Sequence, residues 1–152
     1  MSLKKYKTYN LIVIDSNFIL LPYQFKVDYL NEIYLNLEGK TRFFIFKQVL
    51  DELESKKRRT PITGKFRRQF KSGMSYLKKN EKVYPIYFID EIKKENETTD
   101  NFLLRRCIDF KTDYKRVYIA TNDAQLRKKA SKAKINLIFL RQKKYLSIER
   151  SL

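Results

Sequence analysis

The chain has 152 residues, the length of one ordinary domain, and carries 34 Lys and Arg against 17 Asp and Glu, a formal charge of +17. It has no His and a single Cys, which excludes imidazole chemistry, a disulfide framework and a protein-held zinc site. No run approaches the ~20 apolar residues of a membrane span, and Met1 to Tyr9 is polar and basic, without the apolar core of a secretion signal. A cytoplasmic protein with no membrane partner is the expectation.

Leu11-Ile12-Val13-Ile14 is a continuous apolar run of the kind found in a strand buried on both faces. Tyr23 to Leu37 repeats apolar residues at helical spacing and predicts one helix. Phe43 to Phe46 predicts a second strand. Helices over Lys47 to Lys57 and Phe66 to Lys79 follow, parted by the break Thr60-Pro61-Ile62-Thr63-Gly64. Val83 to Ile89 reads as a third strand, and Pro85 inside it favours a sheet edge. Thr99 to Phe110 predicts a helix, Val117 to Ala120 a strand, Asp123 to Lys132 a helix and Ile135 to Leu140 a fifth strand. Strands alternating with helices imply an α/β fold, a parallel sheet covered on both faces. No repeat, low-complexity tract or linker interrupts the pattern, so residues 1–152 are expected to form a single domain.

The excess of positive charge would attract a polyanion, with nucleic acid the first candidate and an anionic membrane surface the second. It is unevenly spread. Ser55 to Asn80 contains no acidic residue, yet holds Lys56, Lys57, Arg58, Arg59, Lys65, Arg67, Arg68 and Lys71. A second basic stretch contains Arg127, Lys128, Lys129, Lys132, Lys134, Arg141, Lys143 and Lys144. Phe70, Tyr76 and Tyr145 lie among these residues, either as core or as platforms for exposed bases. Lone Cys107 falls within a helical pattern and reads as a buried structural thiol.

Open parallel sheets bind ligands beyond the carboxyl ends of their strands. Asp15 follows the first strand and Asp123 the fourth; Asp100 opens a helix after Thr98-Thr99, and Asp51, Glu52 and Glu54 cluster after the second strand. Taken singly, Asp15, Asp100 and Asp123 are equally good helix N-caps. Four carboxylates near one rim of a basic protein would repel each other unless a cation sits among them. With oxygen the only donor, a hard ion such as Mg²⁺ or Mn²⁺ is the fitting partner. Helical phase turns Asp100 inward with Leu103, Leu104 and Cys107, and puts Asp123 on the face of Leu126 and Ala130. It does not separate Glu52 from Glu54.

Asp15-Ser16-Asn17, Val49-Leu50-Asp51-Glu52-Leu53-Glu54, Thr99-Asp100-Asn101 and Thr121-Asn122-Asp123-Ala124-Gln125-Leu126-Arg127 resemble, in order and spacing, the motifs of PIN-domain nucleases. The resemblance implies a three-layer α/β/α sandwich with a five-stranded parallel sheet of order 3-2-1-4-5, in which the first and fourth strands are neighbours. It implies an endoribonuclease that holds one or two Mg²⁺ or Mn²⁺ ions, and within the Glu cluster it selects Glu52. Asp15 and Asp123 would be the principal ligands, and Asp100 and Glu52 would bind a second ion or orient water. Asn17, Asn101 and Thr121 would support them, although many family members carry Asp where this chain has Asn101.

The tail Ile138 to Glu149, with Arg141-Gln142-Lys143-Lys144-Tyr145, resembles the PIN nucleases of ribosomal-RNA maturation, whereas VapC-type toxins of toxin–antitoxin pairs share the same core. RNA is the implied partner, its backbone held by Lys56, Lys57, Arg58, Arg59, Lys65, Arg67, Arg68, Arg127, Lys128, Arg141 and Lys143. A toxin role would add an acidic antitoxin-like protein, and a homodimer stays open. Two rival readings are a non-catalytic RNA-binding PIN domain and a phospho-acceptor receiver domain built on Asp90, Thr121 and Lys143. The receiver has no use for the positive charge.

Overall fold

The computed structural model of the chain describes residues 6–151, so most of the basic N-terminal stretch considered above lies outside the described residues. One six-stranded sheet runs in the order β3-β2-β1-β4-β5-β6. Its strands are β1 (Tyr9–Ile14), β2 (Lys40–Phe46), β3 (Ile86–Ile89), β4 (Arg116–Ala120), β5 (Asn136–Arg141) and β6 (Tyr145–Glu149). The helices are α1 (Ser16–Ile19), α2 (Leu21–Gln24), α3 (Tyr29–Asn36), α4 (Lys47–Arg58), α5 (Lys65–Asn80), α6 (Thr99–Phe110) and α7 (Ala124–Lys132).

Burial decides which strands are central. Leu11 to Ile14 of β1 and Tyr118 to Ala120 of β4 are shielded from solvent on both faces, and the two strands pair in parallel from Asn10↔Arg116 to Ile14↔Ala120. The chain steps from β1 to β2 to β3, then returns across the sheet to β4 and β5. Right-handed crossovers in opposite directions place helices on opposite faces. α1, α2, α4 and α5 therefore pack together on one face and α6 with α7 on the other. Phe43, Phe46, Phe102 and Tyr29 fill the interfaces. Cys107 is buried and burial pushes its thiol up to about 12. Pro85 stands just ahead of β3, its carbonyl accepting from the Phe43 amide, and β3 is an edge strand with Tyr87 and Phe88 exposed.

Three local features depart from the sequence expectations. The expected parallel sheet of five strands gains β6, which pairs antiparallel with β5 through a turn in which the Lys144 amide bonds the Arg141 carbonyl and Gln142 and Lys143 both have positive φ. Two central residues at positive φ mark a type I′ turn, ordinarily announced by Asn-Gly, inside a three-residue loop between the paired Arg141 and Tyr145. The single helix expected over Tyr23 to Leu37 is two, α2 and α3. Lys26, at φ 55°, breaks the run, and Asp28 restarts it by accepting from the Asn31 amide. Tyr76 of α5 fixes that restart, donating its hydroxyl proton to Asp28 while accepting from the Leu30 amide. Finally, a one-turn helix, α1, leaves β1 directly, with Asp15 as its N-cap.

Candidate active site at the strand ends

Asp15 occupies the point where the strand order reverses, between β1 and β4. Its amide bonds the Ala120 carbonyl, so β1 and β4 stay paired to their last residues and Thr121 is brought alongside. Asp15 is 6% exposed. One oxygen accepts from the Ser16 amide at 2.8 Å; the other accepts from the Thr121 hydroxyl at 2.7 Å and the Asn17 amide nitrogen at 3.1 Å. Burial pushes its carboxyl up to about 6, against the lowering effect of the Thr121 and Ser16 hydrogen bonds, and the charges of Asp100 and Asp123 push the same way.

Asn17 also donates to Thr121 Oγ1 at 3.1 Å and accepts from the Asn122 amide at 2.9 Å. Thr121 Oγ1 in turn accepts from the Asp123 amide at 3.1 Å. Asn122 reaches the other way and accepts from the Leu140 amide at 2.8 Å, tying the segment to β5. Three consecutive positions after Ala120 are thus fixed relative to Asp15 by hydrogen bonds and not by packing alone.

Asp123 caps α7, its Oδ1 accepting from the amides of Gln125 and Leu126. It is exposed, unlike Leu126 and Ala130, whose face the helical phase assigned to it. The cap residue stands outside the helix at ψ 116°, so helical phase does not extend to it. Its Oδ2 accepts no hydrogen bond among the described residues. α6 is capped by Thr98 and not by Asp100, which leaves the Asp100 carboxylate without a capping duty. Burial raises the Asp100 pKa, with the charge of Asp123 adding to it, that of Lys129 opposing it and that of Glu52 raising it further. The four carboxylates chosen from the sequence therefore share one electrostatic neighbourhood.

Glu52 on α4 is turned toward the start of α6. The Thr99 hydroxyl donates to its Oε2, and Gln48 Nε2 lies 3.4 Å from both Glu52 Oε2 and Thr99 Oγ1. Gln48 is buried, and its Oε1 accepts from the Lys93 amide, which anchors the loop ahead of α6. Glu54 instead faces Lys57, at 3.9 Å. Gln48 was not singled out in the sequence, although its place one helical turn before Glu52 was a usable signal. Asn101 is exposed and bonds none of the carboxylates among the described residues.

Among the described residues no three acidic side chains stand close enough to grip one ion as arranged. The fit to a hard divalent cation lies in the donor chemistry, carboxylate oxygens only; burial first, and neighbouring carboxylate charge second, raise the pKa of Asp15 and of Asp100.

Beside Asn17 and Glu52 a cleft of about 520 Å³ is lined by Ser16, Ser55, Lys56, Arg59 and Phe66. Of the other expected backbone-binding residues, Arg58, Lys65, Arg68, Lys128, Arg141 and Lys143 are exposed, and Lys57, Arg67 and Arg127 half-buried. Arg127 and Arg141 both lie over the Phe139 ring, at 4.4 and 5.3 Å. Phe70 is core and Tyr76 is engaged by Asp28, while Tyr145 is exposed. Asp90 ends the edge strand β3, two strands from Asp15, and the Thr121 hydroxyl is turned to Asp15. No helix among the described residues is long and apolar enough to cross a membrane.

The chain is similar to the ribonuclease VapC4 of Methanocaldococcus jannaschii, with 25% identity over 137 residues covering 90% of this chain and 95% of that protein. The structure of the PIN domain endonuclease Utp24 superposes with a TM-score of 0.67 at 22% identity, covering 93% of this chain and 92% of that one, a likeness of fold. The strand order 3-2-1-4-5, with β6 added at its edge, agrees with that likeness. Because the PIN-like domain family matches residues 12–143, from the middle of β1 to the β5–β6 turn, the chain belongs to that family.

Proposed function

We propose that the chain is a metal-dependent endoribonuclease that hydrolyses RNA phosphodiester bonds in ribosomal-RNA processing or maturation, in the cytoplasm and as a single domain. The observation that carries this reading is the fixed Asp15 carboxylate at the strand-order reversal, in the shared field of Asp100, Asp123 and Glu52. The likeness to a protein named as a ribonuclease and the +17 charge support RNA as substrate.

Asp15, Asp100, Asp123 and Glu52 would hold Mg²⁺ or Mn²⁺, which supplies Lewis acidity toward the phosphate and charge to offset the developing oxyanion. Thr121, Asn17 and Ser16 hold Asp15 in one orientation, so this carboxylate needs little reorganisation while the other acids close on the ion. Thr99 and Gln48 hold Glu52 toward the same rim. Asp123 keeps one oxygen on the α7 amides and presents the other. Lys56 and Arg59 in the adjoining cleft bind backbone phosphates and set register without reading sequence.

The test is cleavage of structured RNA by the purified protein and its Asp15→Asn variant in Mn²⁺. Loss of cleavage in the variant, with RNA binding retained, is expected. Equal cleavage by both proteins refutes the reading, and RNA binding without cleavage across a broad substrate survey leaves the non-catalytic PIN alternative. The likeness to VapC4 favours a second reading, a toxin nuclease held by an acidic antitoxin-like partner. Growth arrest on expression, relieved by a co-expressed acidic protein that binds the carboxylate rim, distinguishes it.

A further inference from the structure

At the rim opposite the carboxylates, where β4 and β5 begin, lies a pocket of about 300 Å³. Lys111 at the end of α6, Lys115 and Arg116 at the start of β4, Lys134 before β5 and Arg150 after β6 all line it. Five of its nine lining residues are cationic and none is acidic. Among the described residues none of those five forms an ion pair, so no carboxylate offsets the charge that they bring to this one concavity. Like charges facing one concavity repel, and the arrangement complements an anion with several charges.

A path joins this pocket to the carboxylate rim. α7 starts at its cap Asp123 and ends at Lys132, two residues before Lys134. Its outer surface carries Arg127, Lys128 and Lys132 along a shallow groove floored by Leu137. Nine helical residues cover roughly 14 Å, and with the residues flanking the helix the reach from Asp123 to the pocket is about 20 Å. A stacked strand advances about 3.4 Å per nucleotide, so that reach corresponds to about six nucleotides.

We propose that the Lys111–Lys115–Arg116–Lys134–Arg150 pocket is a second RNA-backbone site, taking three consecutive phosphates that begin about six nucleotides from the scissile bond, with the strand laid along α7. The proposal rests on the ribonuclease reading for the choice of RNA. Its test is a binding measurement with chelator present, so that it stands or falls apart from cleavage.

The experiment measures anisotropy of a labelled single-stranded RNA 20-mer with the full chain, titrated in KCl from 50 to 200 mM. The variant is Lys115→Gln, Lys134→Asn and Arg150→Gln together; all three positions are exposed, and Asn suits the positive φ of Lys134. Each backbone contact to a single strand contributes about 0.7 to the slope of log K against log salt, so the loss of three lowers the slope by about 2 and weakens binding roughly 100-fold near 0.1 M salt. A control, Lys78→Gln, Lys79→Gln and Lys82→Gln at the far end of α5, removes the same charge and is expected to leave the slope unchanged. If the triple variant melts early, Arg150→Gln alone is expected to lower the slope by about 0.7.

An unchanged slope, or equal losses in variant and control, overturns the proposal. So does a variant that loses binding to phosphatidylserine vesicles or to inorganic pyrophosphate while RNA binding is intact. If the slope falls as expected but no RNA is ever cleaved, the second site stands and the ribonuclease reading fails.

Discussion

Gly73→Ala is the sharpest test of how α1 is held in place. Gly73 lies in the middle of α5, where a Cβ would sit 2.0 Å from the Ile19 carbonyl oxygen and 3.0 Å from its carbonyl carbon. Real Cβ contacts essentially never fall below 3.0 Å, so α5 and α1 must separate by about 1 Å, and backbone lies on both sides of the contact. Overpacking of this kind costs about 1–3 kcal/mol, and a backbone obstacle puts it at the upper end. Better helix propensity returns about 1 kcal/mol. The net expectation is a loss of about 2 kcal/mol, or roughly 4–8 °C in Tm for a chain of this size. Ser75→Ala, at an exposed position of the same helix, should gain a few tenths of a kcal/mol and serves as the control. Because Ile19 closes the one-turn helix that Asp15 opens, the displacement also moves the carboxylate. Cleavage by Gly73→Ala should therefore fall at temperatures where circular dichroism shows it fully folded. A variant as stable as the wild type, or less stable but fully active, refutes the reasoning at its structural or its functional step respectively.

Three other outcomes follow from the same contacts. The Asp15 carboxyl has a folded pKa of about 6 against the ordinary 3.8; a raised value contributes stability below pH 4 that is lost as pH rises through 6, up to about 3 kcal/mol at 1.36 kcal/mol per unit. In chelator, Asp15→Asn should therefore gain on the wild type by about 2–3 kcal/mol between pH 4 and 7.5 in denaturant unfolding, and a pH-independent difference between the two proteins would sink this account. Thr99→Val, which removes the hydroxyl from Glu52, should lower Mn²⁺-dependent cleavage about tenfold, a loss of about 1.4 kcal/mol in transition-state stabilisation, with Thr99→Ser retaining activity; equal activity in both variants would show that Glu52 needs no such hold. The Cys107 thiol, pushed up to about 12 by burial, should resist alkylation at pH 8 until denaturant exposes it, and stoichiometric labelling of native protein within minutes would contradict its placement.

The sheet was legible because its central strands carry no polar residue over four positions, and only burial on both faces permits that. The edges were less so. β6 pairs through Gln142-Lys143, residues that hold a type I′ turn against their own preference, so no turn signal marked the hairpin. The break between α2 and α3 was hidden for a similar reason. Lys26 adopts positive φ without being Gly or Asn, and the apolar periodicity carries across the gap. What fixes that corner is the Asp28–Tyr76 contact, between residues 48 positions apart in sequence. At the rim, Asp15 could be found from its place after a buried strand. Glu52 was separated from Glu54 by family resemblance alone; the contacts that turn Glu52 toward α6 come from Thr99 and Gln48, two neutral side chains that helical phase cannot weigh.

Capping and metal binding are competing explanations for the strand-end acids, and the hydrogen bonds differ by oxygen atom and by residue. Asp123 spends one oxygen on two amides and, among the described residues, leaves the other without a hydrogen bond, so capping does not occupy both oxygens. Asp100 has no capping duty, because Thr98 takes it. Its carboxylate accepts no hydrogen bond among the described residues, and burial, with the charges of Asp123 and Glu52, raises its pKa at a cost to the folded state. Asp15 is the opposite case, with Oδ1 accepting from the Ser16 amide and Oδ2 from Thr121 and Asn17, groups that themselves bond the segment leading to Asp123. Replacing Asp100 with Asn should therefore leave stability unchanged or higher while removing metal-dependent cleavage, whereas replacing Asn17 with Ala should weaken both. That contrast is measurable by denaturant unfolding and a cleavage assay on the same preparations, and a stability loss in Asp100→Asn would return that residue to a structural role.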